Sequence, residues 1–143
     1  MSDEPADDES AYELLQRGQA LMRRRHNAQA AVVLERAARL EPGKGSILEA
    51  LGRACFLTSQ VERAREVFEA LLEVDPSSHY GHYALGRTLK RLGRPREAWT
   101  HLRLAVALSP TSPLYRSELA RTAPPERAPG DDQGRDRGVD RHL

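Results

Sequence analysis

The sequence is short of several things, and each shortage removes a class of protein. Its 143 residues include one cysteine, Cys55, so neither an intramolecular disulfide nor a thiolate metal cluster can form. Aromatic residues make up 5%. Val, Ile and Thr together supply 13 residues while Ala and Leu supply 19 each, a balance that favours helices over sheets. No apolar run approaches the ~20 residues that cross a bilayer, so no membrane role is expected. The opening Met1-Ser2-Asp3-Glu4-Pro5 has neither the basic nor the apolar region of a secretory signal, and the expected location is the cytoplasm. Neither G-x-G-x-x-G nor G-x-x-x-x-G-K-S/T occurs, so no phosphate loop is encoded.

A surplus of one charge is also missing overall, since the formal net charge is +1. The distribution is uneven, however. Residues 1–10 carry five acids and no base, and residues 122–143 carry five acids and four arginines. Residues 11–121 hold 18 bases against 11 acids, a net +7. Apolar residues reach only 39%, so part of the chain is expected to lie outside any core. Residues 1–10 read as an acidic disordered head and 122–143 as a disordered tail rich in Pro, Gly, Asp and Arg.

What the chain does contain is a period of 34 residues. Pro42, Pro76 and Pro110 are spaced by it, as are Gly18, Gly52 and Gly86, and Ala30, Ala64 and Ala98. Leu34, Phe68 and Leu102 form a further column, and Leu40, Val74 and Leu108 another. The period divides residues 11–121 into repeats 11–44, 45–78 and 79–112 and a short capping helix over 113–121. Each repeat reads as two helices, with apolar residues at helical spacing on both sides of a break. In the second repeat Ser59-Gln60-Val61-Glu62 fits a capping box, and in the third Gly93-Arg94-Pro95 ends one helix and starts the next. The prolines close every second helix. A mid-helix glycine costs roughly 1 kcal/mol relative to alanine. Three in register therefore imply helices that approach too closely for any side chain, with Ala30, Ala64 and Ala98 expected on the facing side.

With these columns in place the chain resembles the tetratricopeptide repeat (TPR) proteins, whose pattern is W-x-x-L-G-x-x-Y, then A-x-x-x-F, then P. The second repeat answers with Leu48, Leu51-Gly52, Cys55, Ala64, Phe68 and Pro76. The third answers with Leu85-Gly86, Leu89, Ala98, Leu102 and Pro110, although His82 stands where tryptophan or leucine is usual. The first departs at Arg17, as suits an end repeat that meets water. The resemblance implies an all-α fold: a right-handed α-α superhelix, or solenoid, of three TPR helix pairs plus the capping helix.

Catalytic and metal chemistry find little support. His79 and His82 are three apart and share a face on a predicted helix, but no H-x-x-x-H string occurs and His82 falls in a packing column. Cys55 falls in one as well. The serines gather at helix junctions, where capping explains them. Glu62, Glu66, Glu69 and Glu73 trace a solvated helix face rather than a catalytic pair. The chain is expected not to be an enzyme, and no cofactor is implied.

Function is then expected in a surface. In the TPR family the first helix of each repeat lines a concave groove for a peptide or partner helix. Carried over by position, that groove includes Tyr12, Gln19 and Arg23 from the first repeat and Glu49 and Arg53 from the second. The third contributes Tyr80, Tyr83, Arg87, Lys90 and Arg91. Tyr80, Tyr83, Arg87 and Arg91 step along one helix face and pair the aromatics and arginines that protein interfaces favour. The expected ligand is a protein or peptide that is acidic or ends in a free carboxylate. The lysine–asparagine–lysine–arginine clamp of chaperone-binding TPR proteins is absent, its positions holding Leu15, Gln19, Ala50, Tyr80 and Ala84. The reading is a non-catalytic interaction adaptor. Its alternatives are a small TPR chaperone for a secreted protein and nucleic-acid binding through the basic third repeat, which the arginine bias across helix backs and fronts disfavours. Self-association through the exposed ends of the stack is open.

Overall fold

The computed structural model describes residues 8–122 and 124, and these form seven helices and no strand. Helices α1 (Ala11–Arg23) and α2 (Asn27–Leu40) make the first pair, and α3 (Gly45–Leu57) and α4 (Val61–Val74) the second. Helices α5 (His79–Arg91) and α6 (Pro95–Leu108) make the third, and α7 (Pro113–Ala120) follows alone. Each helix packs on the next in sequence, and α1 touches α3 as α3 touches α5. First helices thus form one layer and second helices another, as in a solenoid. Most of the head and tail expected to be disordered lies outside the described residues. Glu9 and Ser10 do not: Glu9 pairs with Arg17 at 2.7 Å, and Ser10 caps α1.

The three turns within repeats share one backbone device. Arg25, Ser59 and Gly93, again 34 apart, adopt φ of 64°, 63° and 74°. The next N–H then reaches back over the helix end, from His26 to the Leu21 carbonyl, Gln60 to Cys55 and Arg94 to Leu89, at 2.8, 2.8 and 2.9 Å. This is the Schellman closure, and it satisfies carbonyls that a helix end leaves bare. It also corrects the capping box expected at Ser59. Ser59 is the left-handed terminator of α3, Gln60 is the N-cap of α4, and no side-chain bond caps that helix. The capping box in this chain joins Ser10 and Glu13 at the start of α1.

The close approach at the glycines holds; the nearest side chains belong to another column, and of the alanines Ala98 faces Gly86 through its backbone oxygen. A Cβ on Gly18 would lie 2.6 Å from Leu34 Cγ, and one on Gly86 would lie 2.7 Å from Leu102 Cγ. Over Gly52 sits the ring of Phe68. The alanine column is fully buried nearby, but the leucine–phenylalanine column one turn later fills the space above each glycine. Leu40, Val74 and Leu108 lie at the last turns of their helices and remain about half exposed.

Helix α7 covers the end of the stack. Ser112 Oγ accepts from the Tyr115 N–H, and Pro113 supplies the first turn. Tyr115 is buried, stacks on Tyr83 with centroids 4.8 Å apart, and bonds through its hydroxyl to His79 Nδ1 at 2.8 Å. Glu118 is also buried and receives Lys90 at 2.8 Å and Arg121 at 2.6 Å. Burial opposes its ionisation, yet the two hydrogen-bonded cations together hold its carboxyl below the ordinary range.

Candidate functional site

The layer of first helices carries two recesses. One pocket of about 170 Å³ lies between α3 and α5 and is lined by Arg53, Phe56, Leu57, Phe68, Tyr80, Tyr83, Ala84 and Arg87. A second of about 320 Å³ lies between α1 and α3 and is lined by Gln19, Met22, Arg23, Arg53 and Leu57. Arg53 and Leu57 belong to both, so the two join into one groove across three helices. Its arginines sit among rings. The Arg87 guanidinium lies 4.9 Å from the Phe56 centroid and 5.8 Å from that of Tyr83, and Arg91 covers the same Phe56 at 4.8 Å. Tyr80 meets Phe68 edge-on, and its burial pushes the phenol further up, so it stays neutral.

Ion pairs concentrate in the second helices, although Arg17 and Lys90 of the first helices also pair, with Glu9 and Glu118. Arg63 holds Glu35 through two bonds of 2.8 Å and also meets Glu66, Arg65 pairs with Glu62 and Glu69, and Arg94 pairs with Glu97. All of these lie in the layer of second helices or at its edge. Arg23, Arg53, Arg87 and Arg91, in the first-helix layer, make no ion pair among the described residues. Three cations in the groove and one at its edge therefore have no carboxylate bound to them among the described residues. Glu49, half-buried on α3, lies near Arg53, and burial raises its carboxyl while Arg53 and His79 oppose the shift.

Of the residues expected in the groove, Gln19, Arg23, Arg53, Tyr80, Tyr83 and Arg87 line its recesses. Tyr12 does not; it stands 65% exposed on the first turn of α1, where its hydroxyl accepts from Gln16. Lys90 is turned away and tied to Glu118. Arg91 caps the groove from its edge, donating to the Phe56 carbonyl at 3.1 Å. Tyr83 is not the exposed tyrosine that the helical stripe implies. Only 6% of its surface is free because Tyr115 of α7 lies on it. One lining residue, Phe68, carries no surface signal in the sequence, since it belongs to a core column.

The histidines part company. His79 serves Tyr115, whereas His82 is buried between Pro76 and His101. A carbonyl only accepts, so His82 Nε2 carries the proton given to Pro76 at 2.9 Å, and its bare Nδ1 accepts from His101 at 3.0 Å. No group of three potential metal ligands exists among the described residues. Cys55 is buried, and that burial pushes its thiol up to about 11, which leaves it unreactive.

The His82–His101 pair predicts a pH dependence. Burial, and then the neighbouring His82, hold His101 below the ordinary histidine value of 6.5, against the pull of Glu97 and Glu69. A lowered folded-state value means that the fold binds this proton less well than the unfolded chain. The contribution is therefore complete above pH 6.5 and is lost as pH falls through the lowered value. Wild type is expected to melt lower at pH 5.5 than at 7.5, and His101→Gln, which keeps a donor for His82, is expected to show a shallower slope. The lowered carboxylates Glu35, Glu97 and Glu118 act only below the ordinary 4.5, outside this window. Equal slopes in thermal melts of the two proteins would count against the pair.

Two family models of the tetratricopeptide repeat match the sequence, one over residues 21–88 and one over 81–122. The chain belongs to the tetratricopeptide repeat family. Solved TPR structures share its fold at low identity. The first TPR domain of Spaghetti (RPAP3), bound to the HSP90 peptide SRMEEVD, is 15% identical with a TM-score of 0.76, covering 79% of this chain and 90% of that one. The Yersinia enterocolitica type III secretion chaperone SycD, in complex with a peptide of the translocator YopD, is 17% identical with a TM-score of 0.68, covering 78% and 85%. YrrB, a TPR protein with an unusual peptide-binding site, is 21% identical with a TM-score of 0.74. That match covers 77% of this chain but 57% of YrrB, which extends well beyond it. No curated protein matches the sequence. Domains of this family are typically non-catalytic binding modules, and no helix among the described residues is long and apolar enough to cross a membrane.

Proposed function

We propose that this TPR domain is a non-catalytic, cytoplasmic adaptor whose groove holds an acidic segment of a partner protein. The observation that carries the reading is the row of arginines, Arg23, Arg53, Arg87 and Arg91, that make no ion pair among the described residues, beside an aromatic recess. Planar guanidiniums on aromatic rings are prepared to take carboxylates, because stacking already orders the side chain. The peptide complexes named for the Spaghetti domain and SycD support a peptide as the ligand, at the level of fold. The chaperone-clamp mode does not carry over, since Gln19, Ala50 and Ala84 stand in its positions.

Selection from a random-peptide display library tests the reading. Enriched peptides should be acidic, and their affinity should fall by about 100-fold for Arg53→Glu with Arg87→Glu, at roughly one charge-assisted contact per arginine. Arg39→Glu, on the other layer, should bind as wild type does. Tyr83→Ala is a poor probe, because it unseats the capping helix as well. Failure to enrich any peptide, or tighter binding to single-stranded oligonucleotides at ~150 mM salt, overturns the adaptor reading.

A further inference from the structure

We infer that residues 125–129 of this chain, Pro-Glu-Arg-Ala-Pro, lie over the indole of Trp99 and finish the cover that α7 begins. This surface is independent of what the groove binds. Trp99 is the single tryptophan of the chain and, among the described residues, belongs to neither buried core cluster. It is half-buried, with the Arg103 guanidinium 4.8 Å from its ring centroid. Its counterparts one and two repeats earlier are Arg65 and Ala31. The next repeat covers both: Ala31 is buried, and Arg65 comes close enough to Arg94, in the following turn, for the two charges to repel. After α6, only α7 follows among the described residues. It has 8 residues where α1, α3 and α5 have 13, so the place over Trp99 is left to the segment beyond it.

The chain leaves α7 at that place. Helix α7 runs parallel to α5, with Tyr115 on His79 and Glu118 on Lys90. It is therefore antiparallel to α6, in which His101 meets His82 and Ala98 lies by Gly86. The register of a first helix on the second helix before it is set at Gly81, where a Cβ would meet Leu71 and Leu72. One repeat later Tyr115 clusters with Ala105 and Val106. Going on from Tyr115 to Thr122 and back along α6 by the same count brings Thr122 level with residues 98–99. Thr122 is buried, in the column of Ala54 and Thr88, so the chain is still seated on the stack there. Pro124 and Pro125 then forbid another helical turn. Pro124 is exposed, so the contact begins at Pro125. Extended at ~3.1 Å per residue, the chain from Thr122 reaches Trp99 and crosses it within residues 125–129. A proline-rich segment suits an indole because the ring offers a flat apolar face and the backbone has little freedom to lose. Charge agrees: Arg103 makes no ion pair among the described residues, and Glu126 is the first acid after α7.

A single tryptophan makes the test direct. Trp99 emission and its quenching by acrylamide are compared between the full chain and the full chain carrying Pro125→Gly with Pro129→Gly. The glycine variant is expected to emit further to the red and to be quenched about twofold more strongly, as the indole gains accessible area, with an unchanged thermal melt. Glu126→Arg should move both readings in the same direction. Proximity is read separately by placing a nitroxide on Ala128→Cys; Cys55 is buried and its thiol unreactive, so residue 128 alone takes the label. The nitroxide should dim Trp99 in the native protein, and the two glycines should restore its emission. Unchanged quenching by acrylamide in the glycine variant overturns the inference, as does a labelled chain whose Trp99 stays bright. Protection that fades on dilution from ~100 μM to ~1 μM overturns it in favour of a second copy of the chain on the same face.

Discussion

Gly52→Ala is expected to lower the melting temperature, although glycine to alanine inside a helix ordinarily stabilises by about 1 kcal/mol. A Cβ at residue 52 would lie 2.6 Å from Cζ and 2.8 Å from Cδ1 of Phe68, closer than carbon atoms pack. Phe68 is 1% exposed and can turn only toward the recess it lines, so relief requires the ring to leave its packed position or α3 and α4 to separate. Overpacking by a few atoms costs ~1–3 kcal/mol, which exceeds the gain in propensity. Gly52→Leu adds three more carbons at the same point. It is expected to cost about 3 kcal/mol or more, a fall on the order of 10 °C for a domain of this size. Gly86→Leu should behave alike, because its Cβ meets Leu102 and, at 3.2 Å, the backbone oxygen of Ala98, which cannot swing aside. Thermal melts followed by circular dichroism decide the matter. A raised melting point for Gly52→Ala, or an unchanged one for Gly52→Leu, sinks the close-approach argument.

These glycines were legible because a packing constraint repeated in phase leaves a visible column. The same logic located the helix pairs and the prolines after second helices. It failed where different residues perform one backbone task. The left-handed terminators are Arg25, Ser59 and Gly93, and only the glycine announces itself. Ser59 therefore read as the N-cap that its residue type favours. The groove was half legible for a related reason. Helical spacing shows which side chains share a face but not what another element lays over them. Tyr83 and Lys90 lie on that face, yet α7 takes both through Tyr115 and Glu118. Which arginines stay unpaired was likewise hidden, since Arg63 finds Glu35 28 residues away. Spacing within one repeat carries no trace of that partnership.

Tyr115→Ala is expected to release the capping helix and to weaken the groove from behind. Helix α7 has eight residues, too few to hold a helix in water without tertiary contacts. Its attachment rests on the Tyr115 ring against Tyr83, the Tyr115 hydroxyl on His79 and Glu118 on Lys90. Truncating a buried aromatic side chain to alanine costs ~3–5 kcal/mol. That is more than so short a helix can lose and stay docked, so hydrogen exchange of α7 amides should approach that of a free chain. Tyr83 would then face water and Lys90 would lose its carboxylate. The wall on which Arg87 rests becomes mobile, and acidic peptides should bind about tenfold more weakly, a loss of roughly 1.4 kcal/mol. Tyr115→Phe separates the two contributions. It keeps the stacked ring, gives up one hydrogen bond worth about 1 kcal/mol, and should leave α7 protected and peptide affinity close to wild type. Retained protection of α7 in Tyr115→Ala would show that the cap is anchored elsewhere. Lost protection with unchanged peptide affinity would show that the groove stands without it.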